Sequence, residues 1–467
     1  MIKKYSIWFL IFFFGLLYSL YSVVRHLRLE SFIFDLGVYD QIIWLASRGK
    51  PLFSSFLEGH PWGDHFTPAL LLLAPLYWAW DNVIILLLFQ AFFAVFGAYP
   101  VYLLARKKVK NISLSLLIAF VYLTFFGIQN AIAFDFHPIV LATTLLAWLF
   151  WLYEERKYRL FWLVFLLFLG LQENFFLLGI ALGVFLVIYY RDFKRGVLMT
   201  IGSAIGFLLV IFVVIPYFAK TPFIYLPRHL VDLSFWEVVK MFFYPPVKIK
   251  LIVVSLLAFG FLPLLSPMVL ILLFEEFFQR FVGSPIETRW GLGYQYNAIL
   301  APILALGTMV TIQKFFLKRK KIAAVLLIVS FLFVQILFHP ALNDLLRKEF
   351  YDLERTKNSR EILKLLPKEA SVAATNNLGA QLAHREKIIF LTNCRDNPTV
   401  WVIDMKRCFT LKPDYLVADL SPEGHPNNYY PDNSRQSLLK YLIEVQTSGE
   451  YQLVKQQGDV FLLKKSQ

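Results

Sequence analysis

Cysteine is almost absent: Cys394 and Cys408 are the only two in the chain. Two thiols are too few for a disulfide scaffold, so burial has to hold the fold. No Cys-x-x-Cys pair and no His-rich tract occurs, which removes the common zinc and redox motifs. Charged residues are scarce, at 17%, and there is no repeat period or low-complexity segment. In their place stand 58% hydrophobic and 18% aromatic residues, with mean hydropathy +0.59. That composition goes beyond a soluble globular domain and reads as an α-helical polytopic membrane protein.

The formal charge of +14 would suggest a nucleic-acid partner if it were clustered. Residues 341–467 hold 18 Lys or Arg against 16 Asp or Glu, only +2 of it. Most of the excess sits in short loops between hydrophobic runs. This is the pattern of membrane orientation and not of a nucleic-acid footprint.

A helix needs about twenty apolar residues to cross a bilayer, fewer where the membrane thins. Eleven segments qualify as candidate spans: 5–24, 83–105, 112–128, 138–153, 159–171, 174–190, 196–217, 249–263, 267–282, 297–314 and 322–338. With eleven spans every basic loop falls on one side, which is then the cytoplasm: Lys3–Lys4, Arg106–Lys110, Arg156–Arg159, Arg191–Arg195 and Lys314–Lys321. Lys3 and Lys4 precede the first run with no clear cleavage site after it, as in an uncleaved signal anchor.

Two places test this count. If 66–80 crossed, the basic loop 106–110 would face outward, so 66–80 is expected to lie in the outer interface. Pro68, Pro75, Tyr77, Trp78 and Trp80 suit that position. The stretch 159–190 is basic at both ends, and only a hairpin keeps both ends inside. Each arm is about 21 Å long at 1.5 Å per residue, less than a core of about 30 Å. Glu173, at the Gln172–Asn174 turn, is therefore expected below the outer surface, in a recess lined by protein. A carboxylate at such depth is a functional candidate.

After residue 341 the pattern changes. Leu342–Leu366 has helical apolar spacing, and Ser434–Val445 is a second helical run. Short β-like runs occupy Ser371–Ala374, Lys387–Leu391, Tyr415–Asp419, Tyr451–Lys455 and Val460–Lys464. Alternation of this kind predicts a small α/β domain, extracytoplasmic by parity of the spans. Cys394 and Cys408 fall inside it, either as one disulfide or as two buried thiols. The expected division is a transmembrane domain over 1–340, with its first outer loop over 25–82, and the external domain over 341–467.

The unusual polar residues fall at one face in this topology. Asp35 and Asp40 follow the first span, with His60, Asp64 and His65 after them. Asp135 and His137 end the third span, and Glu173 tips the hairpin. Arg228, His229 and Asp232 lie in the outer loop 218–248, and Arg289 and Tyr294 precede the tenth span. Each has a plainer reading. Asp135 and His137, or Asp64 and His65, are placed to cap helices, Glu173 could be an ordinary turn residue, and Arg289 a headgroup anchor. Co-location is the argument, since no single motif is specific.

The segments FDLGVYDQIIW, GDHFTPALLLLAPLY, AFDFHP, QEN and YNAILAPILALG carry a resemblance. Together they resemble a prokaryotic family of predicted membrane proteins of unknown function, grouped with the GT-C glycosyltransferases. Its pattern is Phe-Asp-x-Gly-x-x-x-Gln, then His-Phe-x-Pro, then Phe-x-Phe-His-Pro, and the likeness covers most of residues 30–310. It implies a GT-C-like fold of about 11 transmembrane helices with outer interfacial helices and an external C-terminal domain. It also implies sugar transfer from a polyprenyl-phosphate donor to an acceptor at the outer face, with inversion at the anomeric carbon. Two departures are visible: Ile139 follows Pro138 where many members have an acid, and Asn174 stands where a second acid is expected.

Such transfer needs a base for the acceptor hydroxyl and cations for the leaving phosphate. The resemblance makes Asp35 the base, or a metal ligand as in some relatives, so a divalent cation stays open as cofactor. Asp135 and Glu173 are the other catalytic candidates. Arg289 or Arg228 would hold phosphate with a forked donor set. His65 and His137 would orient donor or acceptor, and Asp40, Asp64 and Tyr294 would line the site. The expected partners are membrane lipid, the lipid-linked sugar and an unidentified acceptor. Two other classes compete. A transporter would show polar residues deep in several spans and inverted repeats. A non-enzymatic anchor for the external domain would not need Asp35, Asp135 and Glu173 on one side.

Overall fold

A computed structural model describes residues 2–227, 231–284, 286–391, 412–421 and 435–466. Cys394, Cys408, Arg228 and His229 lie outside the described residues. The chain forms two compact units. One holds Met1–Ser22, His65–Leu70 and Leu88–Leu346, and the other Val23–Asp64, Leu71–Leu87 and Arg347–Gln467.

The first unit is helical. A helix occupies each of the eleven expected spans, and six helices are long and apolar enough to cross a membrane: Tyr5–Leu27, Ile84–Val109, Ile112–Ala133, Phe193–Ala219, Gln295–Phe316 and Lys320–Phe338. The bent pair Phe235–Phe243 and Pro246–Ala258, kinked by 62°, makes a seventh if it is one span. The helices Pro138–Glu154, Tyr158–Leu169 and Phe175–Tyr190 are apolar but shorter. The protein is thus a multi-pass membrane protein.

Burial sorts the spans. Ile112–Ala133 and Gln295–Phe316 are 72% buried, whereas Phe193–Ala219 and Lys320–Phe338 are 28% and 22% buried. The side chains the latter two expose are apolar, such as Ile205, Phe212, Val329 and Ile336, as a lipid-facing helix requires. Element ends follow local chemistry. Asn111 caps its helix by accepting from Leu114 N at 2.9 Å. Pro138, Pro246 and Pro267 open helices where no amide donor is needed. Gly183 lets two neighbouring helices touch, since a Cβ there would lie 2.6 Å from Gly196 O.

The second unit is built on a five-stranded sheet: β1 (Val372–Ala374), β2 (Ile388–Phe390), β3 (Tyr415–Asp419), β4 (Tyr451–Gln457) and β5 (Val460–Lys465). The order is β2-β1-β3-β5-β4, with β2, β1 and β3 parallel and the β3–β5 and β5–β4 pairs antiparallel. Strand alternation divides the side chains between two faces. Ala373, Leu416, Ala418 and Leu463 pack with Leu438, Leu442 and Val445 of the Arg435–Thr447 helix. Val372, Ala374, Val417 and Leu462 pack with Leu29, Ile33, Val38, Ile42 and Phe56. One dry core is therefore shared by the segment after the first helix and the C-terminal sheet.

The structure departs from expectation over Leu342–Leu366. Three short 3₁₀ turns replace a continuous helix until Lys357–Leu363. Side-chain anchors override the helical spacing: Phe350 is buried beneath the Arg28 guanidinium, 5.6 Å from the ring centroid, and Arg355 pairs with Glu30.

Candidate functional site

Glu173 sits at the turn between Tyr158–Leu169 and Phe175–Tyr190 and is 4% exposed. One carboxylate oxygen lies 2.7 Å from His65 Nδ1, and the other accepts the Phe66 amide at 3.0 Å. The His65 ring stacks on Tyr225, with centroids 4.9 Å apart and planes 11° from parallel. Burial pushes the Glu173 carboxyl up, but His65 and the backbone donors outweigh it and hold it below the usual carboxylate range. It is a buried carboxylate bonded to an imidazole and a backbone amide, not a solvated one. The paired groups can take up and return a proton.

A second polar cluster in the same unit joins the AFDFHP segment to the loop before Gln295–Phe316. Asp135 is 3% exposed and its backbone has φ +112°. Gln90 spans the turn: its Nε2 donates to Asp135 O at 2.8 Å and its Oε1 accepts His137 N at 2.7 Å. His137 Nε2 lies 3.1 Å from Gln295 Nε2, and the Phe134 and Tyr294 rings are 5.4 Å apart. His137 holds the N-cap position of Pro138–Glu154 but makes no side-chain cap bond. Asn297 ties the facing loop by donating to the carbonyls of Gly291, Leu292 and Tyr294, and it accepts from buried Arg280 Nη2 at 2.6 Å. Arg280 Nε donates to Arg289 O at 2.8 Å, and the half-buried Arg289 guanidinium lies 5.0 Å from the Tyr296 ring. Burial pushes the Tyr294 phenol up.

Gln90, Arg280, Gln295 and Asn297 were not singled out from sequence. The available signal was a polar group in an apolar stretch, alone for Gln90 in IILLLFQAFFAVF and clustered with Glu275, Glu276 and Gln279 for Arg280 in PMVLILLFEEFFQRF.

Asp35 and Asp40 belong to the second unit. Asp35 is half-buried in the Ile33–Gly37 turn with φ +98° and ψ −92°. Ten non-glycine residues among those described have positive φ, and eight lie between +40° and +59°. Those eight are ordinary left-handed positions; only Asp35 and Asp135 lie beyond. Asp40 is 1% exposed, bonded by the Tyr77 hydroxyl and 3.1 Å from His384 Nε2. His384 Nδ1 is 3.1 Å from Asp81. Asp64 is half-buried beside the 3₁₀ turn Pro61–Gly63, which His60 Nδ1 caps at Trp62 N, 3.2 Å away. Among the described residues no group of three His, Cys, Asp or Glu side chains is placed to hold a metal ion.

A multi-pass helical membrane unit with a buried polar layer, joined in sequence to a small mixed sheet, defines the class. The chain belongs to the family described as "Predicted membrane protein (DUF2079)", whose model matches residues 25–462. No curated protein matches it. Among solved structures it is similar to ArnT from Cupriavidus metallidurans bound to undecaprenyl phosphate, with TM-score 0.50 and 12% identity over 96% of this chain and 97% of that one. The apo state of the same protein gives TM-score 0.53 and 10% identity over 92% and 93%. The resemblance to the GT-C glycosyltransferases therefore holds at the level of fold.

Proposed function

We propose that this protein is a membrane glycosyltransferase that moves a sugar from a polyprenyl-phosphate donor to an acceptor at the outer face. The observation that carries the reading is the full-length fold likeness to a protein whose structure holds undecaprenyl phosphate. The interior supports it, with a carboxylate–imidazole pair at Glu173 and His65 and strained backbone at Asp35 and Asp135. Strain of that kind is kept where function requires it.

In this reading Asp35 takes the proton of the acceptor hydroxyl as oxygen attacks the anomeric carbon from the face opposite the phosphate. The sugar–phosphate bond breaks and the electron pair leaves with the phosphate. Arg289 and Arg228 neutralise that phosphate, as guanidinium forks suit its oxygens. Glu173 holds His65 in one orientation and His137, Tyr294 and Asp135 contact substrate within the first unit, while Asp64 and Asp40 of the second unit are assigned to substrate binding. The N-terminus is cytoplasmic and the sheet domain extracytoplasmic.

Vesicles containing the full chain provide the test. Undecaprenyl phosphate should bind, and Arg289→Ala should weaken binding. With undecaprenyl-phosphate-linked hexoses as donors and envelope extract as acceptor, Asp35→Asn should retain lipid binding and lose roughly a hundredfold or more of transfer. Failure of the wild type to bind undecaprenyl phosphate sinks the reading.

A further inference from the structure

Asp35 stands at φ +98°, beyond the range of the ordinary left-handed positions in this chain. A backbone held there relaxes unless its surroundings over-determine it. The surroundings in question come from a segment more than 300 residues further along the chain. The Ile33 amide, two residues before Asp35, donates to Asn376 Oδ1 at 2.8 Å in a buried site. Asn376 is 2% exposed and opens the Asn376–Gly379 turn of helix directly after β1. β1 is hydrogen-bonded on both sides, to β2 and β3, so Asn376 is carried by the interior of the sheet.

The contacts on either side repeat the arrangement. A Cβ at Gly379 would lie 2.3 Å from Ile33 Cδ1, so a larger residue there displaces Ile33. The Phe34 ring meets the Phe390 ring edge-on at 5.3 Å. A Cβ at Gly37 would lie 3.6 Å from Ala380 Cα. Beyond the turn, Gln41 Nε2 donates to Arg385 O at 2.9 Å and His384 approaches Asp40. Packing alone would hold the hydrophobic residues but would not select a backbone conformation. Within the turn the Gly37 amide bonds Phe32 O at 3.0 Å and the Val38 amide bonds Ile33 O, and the Asn376 bond fixes the direction of the Ile33 amide from outside it.

We infer that Asn376 is a positioning residue for Asp35, and that the Asn376–Arg385 segment of the sheet domain sets the conformation of the Asp35 turn. The inference rests on the reading of Asp35 as the base. It gives the C-terminal domain a part in the reaction without contact with the reacting atoms. A group displaced by about 1 Å from its working position loses up to a hundredfold in rate.

The full chain in vesicles is compared with Asn376→Leu, which removes the acceptor oxygen, and Asn376→Asp, which keeps it. Hydrogen exchange should rise at least about tenfold at the Ile33 amide in Asn376→Leu while amides of β3 and β5 stay protected, and Asn376→Asp should retain protection at all three. With undecaprenyl-phosphate-linked hexoses, Asn376→Leu should lower kcat by roughly 10- to 100-fold with donor KM unchanged, and Asn376→Asp should restore most of it. Unchanged protection at Ile33 in Asn376→Leu overturns the inference. So does an equal fall of kcat in both variants with lost protection in β3 and β5, which marks a structural role. If instead Asp35→Asn transfers sugar at the wild-type rate, the base reading falls, and the exchange comparison still decides whether Asn376 holds the turn.

Discussion

At the scale of single residues, strain and charge make separate predictions. Glycine adopts φ +98° without the Cβ clash that an L side chain suffers. Asp35→Gly should therefore stabilise the second unit relative to Asp35→Ala by about 1 kcal/mol, while neither variant transfers sugar. Equal unfolding midpoints for the two would mean that the turn is not strained. Glu173 predicts a pH dependence. Its folded value lies below the unfolded one, so its stabilisation is complete above about pH 4.3 and is lost as pH falls through the folded value. Between pH 5 and pH 3 the wild type should lose stability faster than Glu173→Gln. Matching slopes would show that His65 does not hold an ionised carboxylate. Asp35 and Glu173 were both visible as acids out of place beside apolar runs. The φ at Asp35 and the Tyr225 ring stacked on His65 were not, because each depends on which distant segments meet.

At the scale of elements, the five strands and the Arg435–Thr447 helix were legible, because period-two alternation and turn residues bound them locally. The broken course of Leu342–Leu366 was not, because long-range contacts at Phe350 and Arg355 decide it. The same kind of contact makes the junction at His384. Each ring nitrogen lies 3.1 Å from a carboxylate oxygen, of Asp40 on one side and Asp81 on the other. A neutral imidazole has one N–H, so only the imidazolium donates to both. Burial pushes His384 down, but Asp40 and Asp81 outweigh it against the opposing Arg48, and the net shift is upward. The ring also lies flat against Trp44. Stability from a raised value is complete below about pH 6.5 and is lost as pH rises through the folded value. The unfolding midpoint should fall between pH 6 and pH 9 in the wild type and change little in His384→Gln. An equal fall in both would remove His384 as its source.

At the scale of the molecule, the shared core restricts topology. Leu29, Ile33, Val38, Ile42 and Phe56 cannot pack in one dry cluster with Val372, Val417 and Leu462 unless all of them lie on one side of the bilayer. The stretch between residues 56 and 372 must then cross an even number of times. Eleven spans satisfy this, since the first precedes the core and ten lie between its two parts. The six long helices with the bent pair counted as one also satisfy it, with one before and six between. The six alone do not, as five would lie between, so either the bent pair or a shorter helix has to cross. Basic residues decide further. With seven crossings, Arg106–Lys110 is cytoplasmic if the N-terminus is, but the Arg156–Arg159 and Arg191–Arg195 loops share a side only if both arms of the Tyr158–Tyr190 hairpin enter the membrane or neither does. Its arms span about 18 and 24 Å at 1.5 Å per residue, short of a core of about 30 Å, so a hairpin that enters the membrane keeps its Glu173 tip short of the far surface. Single cysteines placed in a Cys394→Ser, Cys408→Ser background should separate the arrangements. A membrane-impermeant maleimide added to intact cells should label residue 232 and residue 348 but not residue 108 or residue 194. Labelling at 108 would put the Arg106–Lys110 loop outside and make 66–80 a crossing segment. Labelling at 194 with 108 protected would leave the first three crossings intact and favour the seven-crossing arrangement, in which Pro138–Glu154 does not cross.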